Sequence, residues 1–311
     1  MRTASFQEIE KYKTLEFFAK QVVEGFITGL HRSPFHGFSV EFAEHRLYNT
    51  GESTKNIDWK LYGRTDRLYV KRYEEETNLR CQLLLDCSSS MFFPRERHGS
   101  FDNPNKITFA AYATALLVEL FVRQRDAFGL TLFADAIEMQ TEVRSSTTHQ
   151  RYIYSLLDKI LHDESWGMEQ KRGSSIAENI HLLAEKMHRR SLVVIFTDAF
   201  VSDEQQEELF DALRHLRHCK HEVILFHTYD KNLELELDYG NKPYHFIDME
   251  SDKEIKLFPH EFAERYREVM LQQTNTLKAR AMQYNIDYIA VDINEGFEQV
   301  MLPYLLKRER I

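Results

Sequence analysis

Two short apolar runs that stop abruptly at acidic residues constrain the fold of this 311-residue chain most strongly. Leu83–Leu85 is followed directly by Asp86, and Leu192–Phe196 is followed by Thr197 and Asp198. Continuous apolar runs of this length are typical of strands that are buried on both faces of a parallel sheet. Because parallel strands end at the same edge of a sheet, the two aspartates are expected to lie close together there.

Helical and strand-like segments alternate along the chain from residue 79 onward. This alternation predicts crossover connections and a three-layer α/β/α, Rossmann-like domain with a mainly parallel sheet over residues 79–311. The hairpin-like pair Gly129–Phe133 and Ile137–Val143 is the exception. We expect this pair to place an antiparallel strand at one edge of the sheet.

Residues 1–78 are expected to form a small N-terminal appendage that contains a helix and β-strands. Apolar residues recur with helical spacing over residues 6–30, and two β-like stretches follow at Phe38–Tyr48 and Leu68–Tyr73. The segment 230–258 breaks the later alternation, and we expect its strands to pair with the N-terminal ones. Its three predicted strands are Leu233–Leu237, Tyr244–Met249 and Glu254–Phe258.

The charge and apolar content of the chain exclude several classes of partner. Lysine and arginine total 40 and aspartate and glutamate total 49, which gives a net charge of −9. A chain this acidic has no general attraction to nucleic acid or anionic lipid. Membrane insertion is not expected either, because no segment has the uninterrupted apolar length needed to cross a bilayer. Three cysteines and the lack of a signal-peptide core in Met1–Lys20 predict a cytoplasmic protein.

Hard oxygen donors follow the predicted strands at their carboxyl ends. The candidates are Asp86, Ser88, Ser90, Ser174 or Ser175, and Asp198. A set made only of oxygen donors favours Mg²⁺ or Mn²⁺ over zinc. Mg²⁺ takes about six oxygens, so these donors leave a position that suits a carboxylate from another protein. A simple Asx or Ser/Thr turn at the end of a strand is the alternative explanation of Asp86–Ser90.

Two sets of residues resemble known protein families. Asp86–Met91, with the sequence DCSSSM, resembles the first motif of the metal-ion-dependent adhesion site in von Willebrand factor A domains. The segments GESTKNIDWK at 51–60, GR at 63–64 and LYVKRYEEE at 68–76 resemble the bacterial domain-of-unknown-function family fifty-eight. Members of that family carry a von Willebrand A-like domain and are similar to proteins that accompany MoxR-type AAA ATPases.

The resemblance implies a von Willebrand A-like fold and a non-enzymatic, metal-dependent protein-binding module. The implied ligands of Mg²⁺ or Mn²⁺ are Asp86, Ser88, Ser90, Ser174 in place of the usual threonine, and Asp198. The implied partner is a MoxR-type AAA ATPase in a chaperone-like or regulatory assembly, with a client protein that presents an aspartate or glutamate to the metal.

A metal-dependent hydrolase that uses the same acidic and hydroxyl groups is the alternative function. The sequence has no Gly-x-Ser-x-Gly motif and no histidine in an obvious partner motif, which favours the binding module. The histidines and cysteine of His215–His221 do not have zinc-finger spacing. We therefore expect no catalytic residues.

Overall fold

The computed structural model describes residues 15–31, 45–47, 59–66, 68–71, 79–162, 175–198, 203–250 and 253–308. The chain divides into two compact units, one formed by Met1–Val23 and Leu79–Ile311 and the other by Glu24–Asn78. Helix α1 (Leu15–His31) contributes residues to both units. In the smaller unit, β1 (His45–Leu47) pairs antiparallel with β2 (Tyr69–Lys71), and α2 (Trp59–Thr65) lies between them in sequence. Both strands fall inside the predicted β-like stretches.

The larger unit alternates strands and helices as the sequence predicts. Its strands are β3 (Arg80–Asp86), β4 (Ala127–Phe133), β5 (Ile137–Gln140), β6 (Leu192–Thr197), β7 (Glu222–Tyr229), β8 (Tyr244–Ile247), β9 (Glu254–Leu257) and β10 (Asp287–Asp292). Its helices are α3 (Lys106–Arg123), α4 (Thr147–His162), α5 (Ile176–Lys186), α6 (Asp203–His218), α7 (Pro259–Gln283) and α8 (Glu298–Arg308).

Six of these strands form one sheet in the order β10-β7-β6-β3-β4-β5. All neighbouring strands are parallel except β5, which runs antiparallel to β4 at the edge. The predicted parallel sheet and its antiparallel edge strand are therefore confirmed. Strands β3 and β6 lie at the centre, and only Arg80 among their residues is exposed.

Helices cover the sheet because its central strands are apolar on both faces. Side chains of α5, α6 and α7 form one core with alternate residues of β3, β6 and β7, including Leu84, Val193 and Leu225. Helix α3 packs on β3, β4 and β7 and also contacts α4 and α8. This arrangement is an α/β fold compatible with three α/β/α layers.

The strand predicted at Leu233–Leu237 is wrong, because Lys231–Leu235 forms a short π-helix. Asp230 and Glu234 bond reciprocally to the backbone there. The Asp230 carboxylate accepts from the Leu233 amide at 3.1 Å, and the Glu234 carboxylate accepts from the Asp230 amide at 2.7 Å. This pair of hydrogen bonds resembles a helix capping box. The two carboxylates serve as acceptors for backbone amides, which in a strand would need a neighbouring strand as their acceptor.

The pairing of segment 230–258 with the N-terminal strands is not seen in the described part of the chain. Strands β8 and β9 form a two-stranded antiparallel sheet of their own, separate from β1–β2 among the described residues. A hairpin closes a short loop and therefore costs less chain entropy than a distant pairing. The ring of Tyr239 packs against those of Tyr244 and Phe246, at 5.2 and 5.0 Å between centroids, and holds the hairpin by local contacts.

Helix α3 is buried over most of its length and begins beside the ends of β3 and β6. Its N-cap is Asn105, whose side-chain oxygen accepts from the Thr108 amide at 3.0 Å. The Asn105 amide group donates to the Phe92 carbonyl at 3.0 Å, which ties the cap to the loop that follows β3. In the part of the chain that is described, no helix has both the length and the hydropathy of a membrane span.

We expect Asn105→Ala to lower the free energy of unfolding by about 2 kcal/mol, because it removes a cap and a buried hydrogen bond together. Urea unfolding at equilibrium measures the loss. Asn105→Ser keeps a capping oxygen without burying a charge and should lose less. A loss below about 0.5 kcal/mol for Asn105→Ala, the range of ordinary surface changes, would contradict the capping role.

Candidate metal centre

The carboxyl ends of β3 and β6 bring two aspartates together at one edge of the sheet. Leu85 is paired with Phe196 in the parallel register, so Asp86 lies beside Thr197 and one residue before the level of Asp198. The Thr197 hydroxyl donates to Oδ2 of Asp86 at 2.7 Å. Asp86 is fully buried and Asp198 is 5% exposed, so neither carboxyl has the hydration of a surface acid.

The turn after β3 directs the two serine hydroxyls into the same space. The Ser88 amide donates to Oδ1 of Asp86 at 2.9 Å, as in an Asx turn. A 3₁₀ turn over Ser89–Phe92 follows, and it places the Ser88 and Ser90 hydroxyl oxygens 3.1 Å apart. The Ser90 side chain also lies close enough to the Asp198 carboxyl to help lower the pKa of Asp198. The Asx turn of the alternative explanation is therefore present, but its hydroxyls also face a carboxyl from another strand.

Four of the five predicted metal ligands, Asp86, Ser88, Ser90 and Asp198, thus lie in one cluster. Ser174 lies outside the described residues. Its competitor Ser175 directly precedes α5, and its backbone amide donates to the Ala134 carbonyl just beyond β4 at 3.2 Å. Residue 175 is thereby attached to the same edge of the sheet. The ligand roles of all five residues remain predictions.

Lys106 is a member of the cluster that the sequence reasoning missed. Its side chain is buried, and Nζ donates to Oδ2 of Asp198 at 2.9 Å and to Oε1 of Glu234 at 2.6 Å. It is the first residue of α3, where the helix dipole disfavours a positive charge. A lysine at the start of an otherwise apolar helix was therefore the available signal for an acidic partner.

Two further acidic residues reach the cluster from segments that are distant in sequence. Glu234 comes from the π-helix that follows β7, and Glu250 comes from the connection between β8 and β9. The Glu250 carboxyl interacts electrostatically with Asp198 and Asp86. Neither residue has a local sequence signal, because only the tertiary fold brings these segments over the ends of β3 and β6.

The two strand-end aspartates differ in proton affinity. Burial raises the pKa of the Asp86 carboxyl from 3.8 to about 6, and the negative charge of Asp198 contributes to that rise. Burial acts on Asp198 as well, but the Lys106 ammonium outweighs it and holds the pKa of Asp198 below its ordinary value. Lys106 therefore keeps Asp198 ionised. Asp86 binds its proton more tightly, because its ionised form would be buried next to a second negative charge.

The same buried environment shifts the pKa values of Glu250 and His227. Burial raises the pKa of Glu250 to about 7, assisted by the charges of Asp198 and Asp86 and opposed by the nearby Ser90 side chain. Burial lowers the pKa of His227 to about 4, so this histidine is neutral at pH 7 and adds no positive charge.

The donors of the cluster fit a hard divalent cation. Carboxyl and hydroxyl oxygens are the groups that Mg²⁺ and Mn²⁺ prefer. Lys106 contributes one positive charge to a group that contains the carboxyls of Asp86, Asp198, Glu234 and Glu250. Within the described ranges, no three His, Cys, Asp or Glu side chains are arranged to hold a metal ion. A site here would therefore depend on serine hydroxyls as well as on carboxylates.

The fold and this edge define an α/β protein with a buried cluster of carboxyl and hydroxyl groups at the ends of parallel strands. The chain belongs to the family described as protein of unknown function DUF58, whose profile matches residues 44–280. Uncharacterized proteins of Mycobacterium bovis and Mycobacterium tuberculosis are each 32% identical over 81 residues. The match covers 26% of this chain and 26% of each relative, about a quarter of the relatives' length.

Two solved structures are similar at low identity. The conserved hypothetical protein BatB from Bacteroides thetaiotaomicron matches with 15% identity and a TM-score of 0.47, over 75% of this chain and 98% of that one. An aerotolerance-related membrane protein from Bacteroides fragilis matches with 18% identity and a TM-score of 0.46, over 71% and 96% of the two chains.

We expect Asp86→Asn to stabilise the metal-free protein at pH 8 by about 2–3 kcal/mol. The folded pKa of Asp86, about 6, lies above its ordinary 3.8, so the folded state binds this proton more tightly than the unfolded state. Wild-type stability should therefore fall as pH rises from about 4 to 6, and the substitution removes that fall because an amide does not ionise.

Urea unfolding in EDTA at pH 4.5 and pH 8 measures the effect. The difference between variant and wild type should grow at the higher pH. A difference that stays constant between the two pH values would show that Asp86 is not held against ionisation. Asp135→Asn, in the exposed turn between β4 and β5, is the control for a general charge effect.

Proposed function

We propose that this protein is a von Willebrand A-like, non-enzymatic module that binds other proteins through a divalent metal at the Asp86 cluster. The observation that supports the proposal best is the convergence of Asp86, Ser88, Ser90 and Asp198 at the ends of two adjacent parallel strands. An isolated Asx turn would need only the first of these residues, and it would not explain a second buried aspartate.

The residues of the cluster would hold Mg²⁺ or Mn²⁺ through oxygen atoms, with Ser174 as the remaining predicted ligand. The bound ion would supply a Lewis-acidic position for an Asp or Glu side chain of the partner. Asp86 contributes a carboxyl that is already buried and oriented by the Ser88 amide and the Thr197 hydroxyl. Lys106 keeps Asp198 ionised, which maintains negative charge for the ion to bind.

The proposed partner is a MoxR-type AAA ATPase, and the proposed setting is a cytoplasmic, chaperone-like or regulatory assembly. This part of the proposal rests on the sequence resemblance alone. The acidic net charge of −9 agrees with a protein partner rather than with nucleic acid or an anionic membrane surface.

Asp86→Ala is expected to abolish metal-dependent capture of the partner, because it removes the carboxyl that the Asx turn directs into the cluster. Tagged protein is used to recover partners from the native lysate in excess Mg²⁺ and, in parallel, in EDTA. The wild type should recover an AAA ATPase only in Mg²⁺. Asp135→Ala, on the same edge of the sheet but exposed, should behave like the wild type.

Circular dichroism and thermal unfolding verify that each variant is folded. Equal recovery by wild type and Asp86→Ala, or equal recovery in Mg²⁺ and EDTA, would show that the metal is not part of the mechanism. Turnover of generic ester or phosphoester substrates that disappears in Asp86→Ala would instead favour the metal-dependent hydrolase.

A further inference from the structure

A cavity of about 380 Å³ opens at the amino ends of the central strands, opposite the Asp86 cluster. It lies where β3 and β6 begin, because Arg80 is the first residue of β3 and Ser191 directly precedes β6. The end of α5 and the residues that follow β5 complete its described wall. This volume falls in the range of small-molecule sites, which is about 300–1,000 Å³.

The floor of the cavity contains a buried amide among the apolar side chains of β3. Gln82 is 2% exposed, and its Nε2 donates to the Thr131 hydroxyl on β4 at 2.8 Å. Its Oε1 receives no hydrogen bond from any described residue, although buried amide oxygens ordinarily accept one. An acceptor is therefore available to a ligand at the floor of the cavity.

A glycine on the neighbouring strand makes room for this amide. Gly129 is paired with Gln82 in the parallel register of β3 and β4. A Cβ at position 129 would lie 2.7 Å from Oε1 of Gln82, which is closer than real Cβ atoms approach another atom. Glycine inside a strand weakens the strand and often marks a point where a ligand approaches closely. The strand thus lacks a side chain at the position that the Gln82 amide occupies.

Two cations at the rim give the mouth of the cavity a positive charge. Arg80 and Lys186 are exposed, and neither forms an ion pair with another described residue. Glu142 also lines the cavity, but the Arg144 guanidinium binds its carboxylate at 2.5 Å. Because residues two apart in a strand lie on the same face, the Cβ atoms of Arg80 and Gln82 lie on one side of the sheet, about 6–7 Å apart.

We propose that this cavity binds a small phosphate monoester that also carries a hydroxyl group, such as a three-carbon polyol phosphate. Arg80 and Lys186 hold the phosphate, whose charge of nearly −2 matches the two cations. The hydroxyl of the ligand donates to Oε1 of Gln82, and a three-carbon chain spans about the distance between the two groups. The site is separate from the Asp86 cluster and goes beyond the proposed function.

Calorimetric titration of the full chain with glycerol 3-phosphate in EDTA tests the proposal. EDTA removes divalent ions, so the phosphate cannot bind through a metal at the Asp86 cluster. Glycerol and inorganic phosphate are titrated as the two halves of the ligand. Arg80→Gln and Lys186→Gln each remove one cation of the rim. Lys278→Gln, at an exposed position of α7 away from the cavity, controls for net charge.

Each rim variant is expected to bind glycerol 3-phosphate at least about tenfold more weakly than the wild type, because it loses a charged hydrogen bond. Lys278→Gln should bind like the wild type. The wild type should bind glycerol 3-phosphate about fivefold more tightly than inorganic phosphate, the scale of one neutral hydrogen bond, and should not bind glycerol measurably.

Two variants test the contact with the amide. Gln82→Leu should bind glycerol 3-phosphate and inorganic phosphate equally, because no acceptor remains for the hydroxyl. Gly129→Ala should do the same while keeping the amide, because its Cβ displaces Oε1. Circular dichroism and urea unfolding verify that each variant is folded, and either one is sufficient for the comparison.

The remaining outcomes would contradict the proposal. No binding of glycerol 3-phosphate by the wild type, or equal binding by the wild type and both rim variants, would overturn the site. Equal affinities of the wild type for glycerol 3-phosphate and inorganic phosphate would overturn the contact with Gln82. Tighter binding of glycerate, the matching carboxylate, would overturn the choice of a phosphate ester. None of these outcomes bears on the proposed function, since every titration is made without divalent metal.

Discussion

The buried, like-charged pair of aspartates at the ends of β3 and β6 is the constraint on which the rest of this edge depends. Two carboxylates in a low-dielectric setting repel each other and lose hydration, so the fold must supply compensating groups. It does so unevenly. Asp198 receives the Lys106 ammonium, whereas Asp86 accepts hydrogen bonds from two neutral donors, the Ser88 amide and the Thr197 hydroxyl. Burial raises the pKa of Asp86, and the neighbouring charge of Asp198 adds to that rise.

Lys106 links this compensation to the architecture. Its ammonium joins Asp198, at the end of β6, to Glu234, in the π-helix that follows β7. The same residue starts α3, whose N-cap Asn105 is bonded to the loop after β3. Three segments that are far apart in sequence are therefore held around one point by buried polar contacts. A site supported in this way by strands and helix ends is oriented before any ligand arrives.

The sequence predicts the sheet and part of the cluster because both depend on local patterns. Apolar runs identify buried strands, and Asp86 and Asp198 are visible because they interrupt such runs. The π-helix at Lys231–Leu235 escapes this reasoning, and so does the pairing of β8 with β9, although both of these strands are predicted. The apolar residues of Lys231–Leu235 fit a strand pattern equally well, and the side-chain hydrogen bonds of Asp230 and Glu234 favour the helix. The short loop between β8 and β9 favours their pairing with each other. Glu250 escapes for a different reason. It lies in the connection between β8 and β9, and only the tertiary fold brings that connection near Asp86 and Asp198.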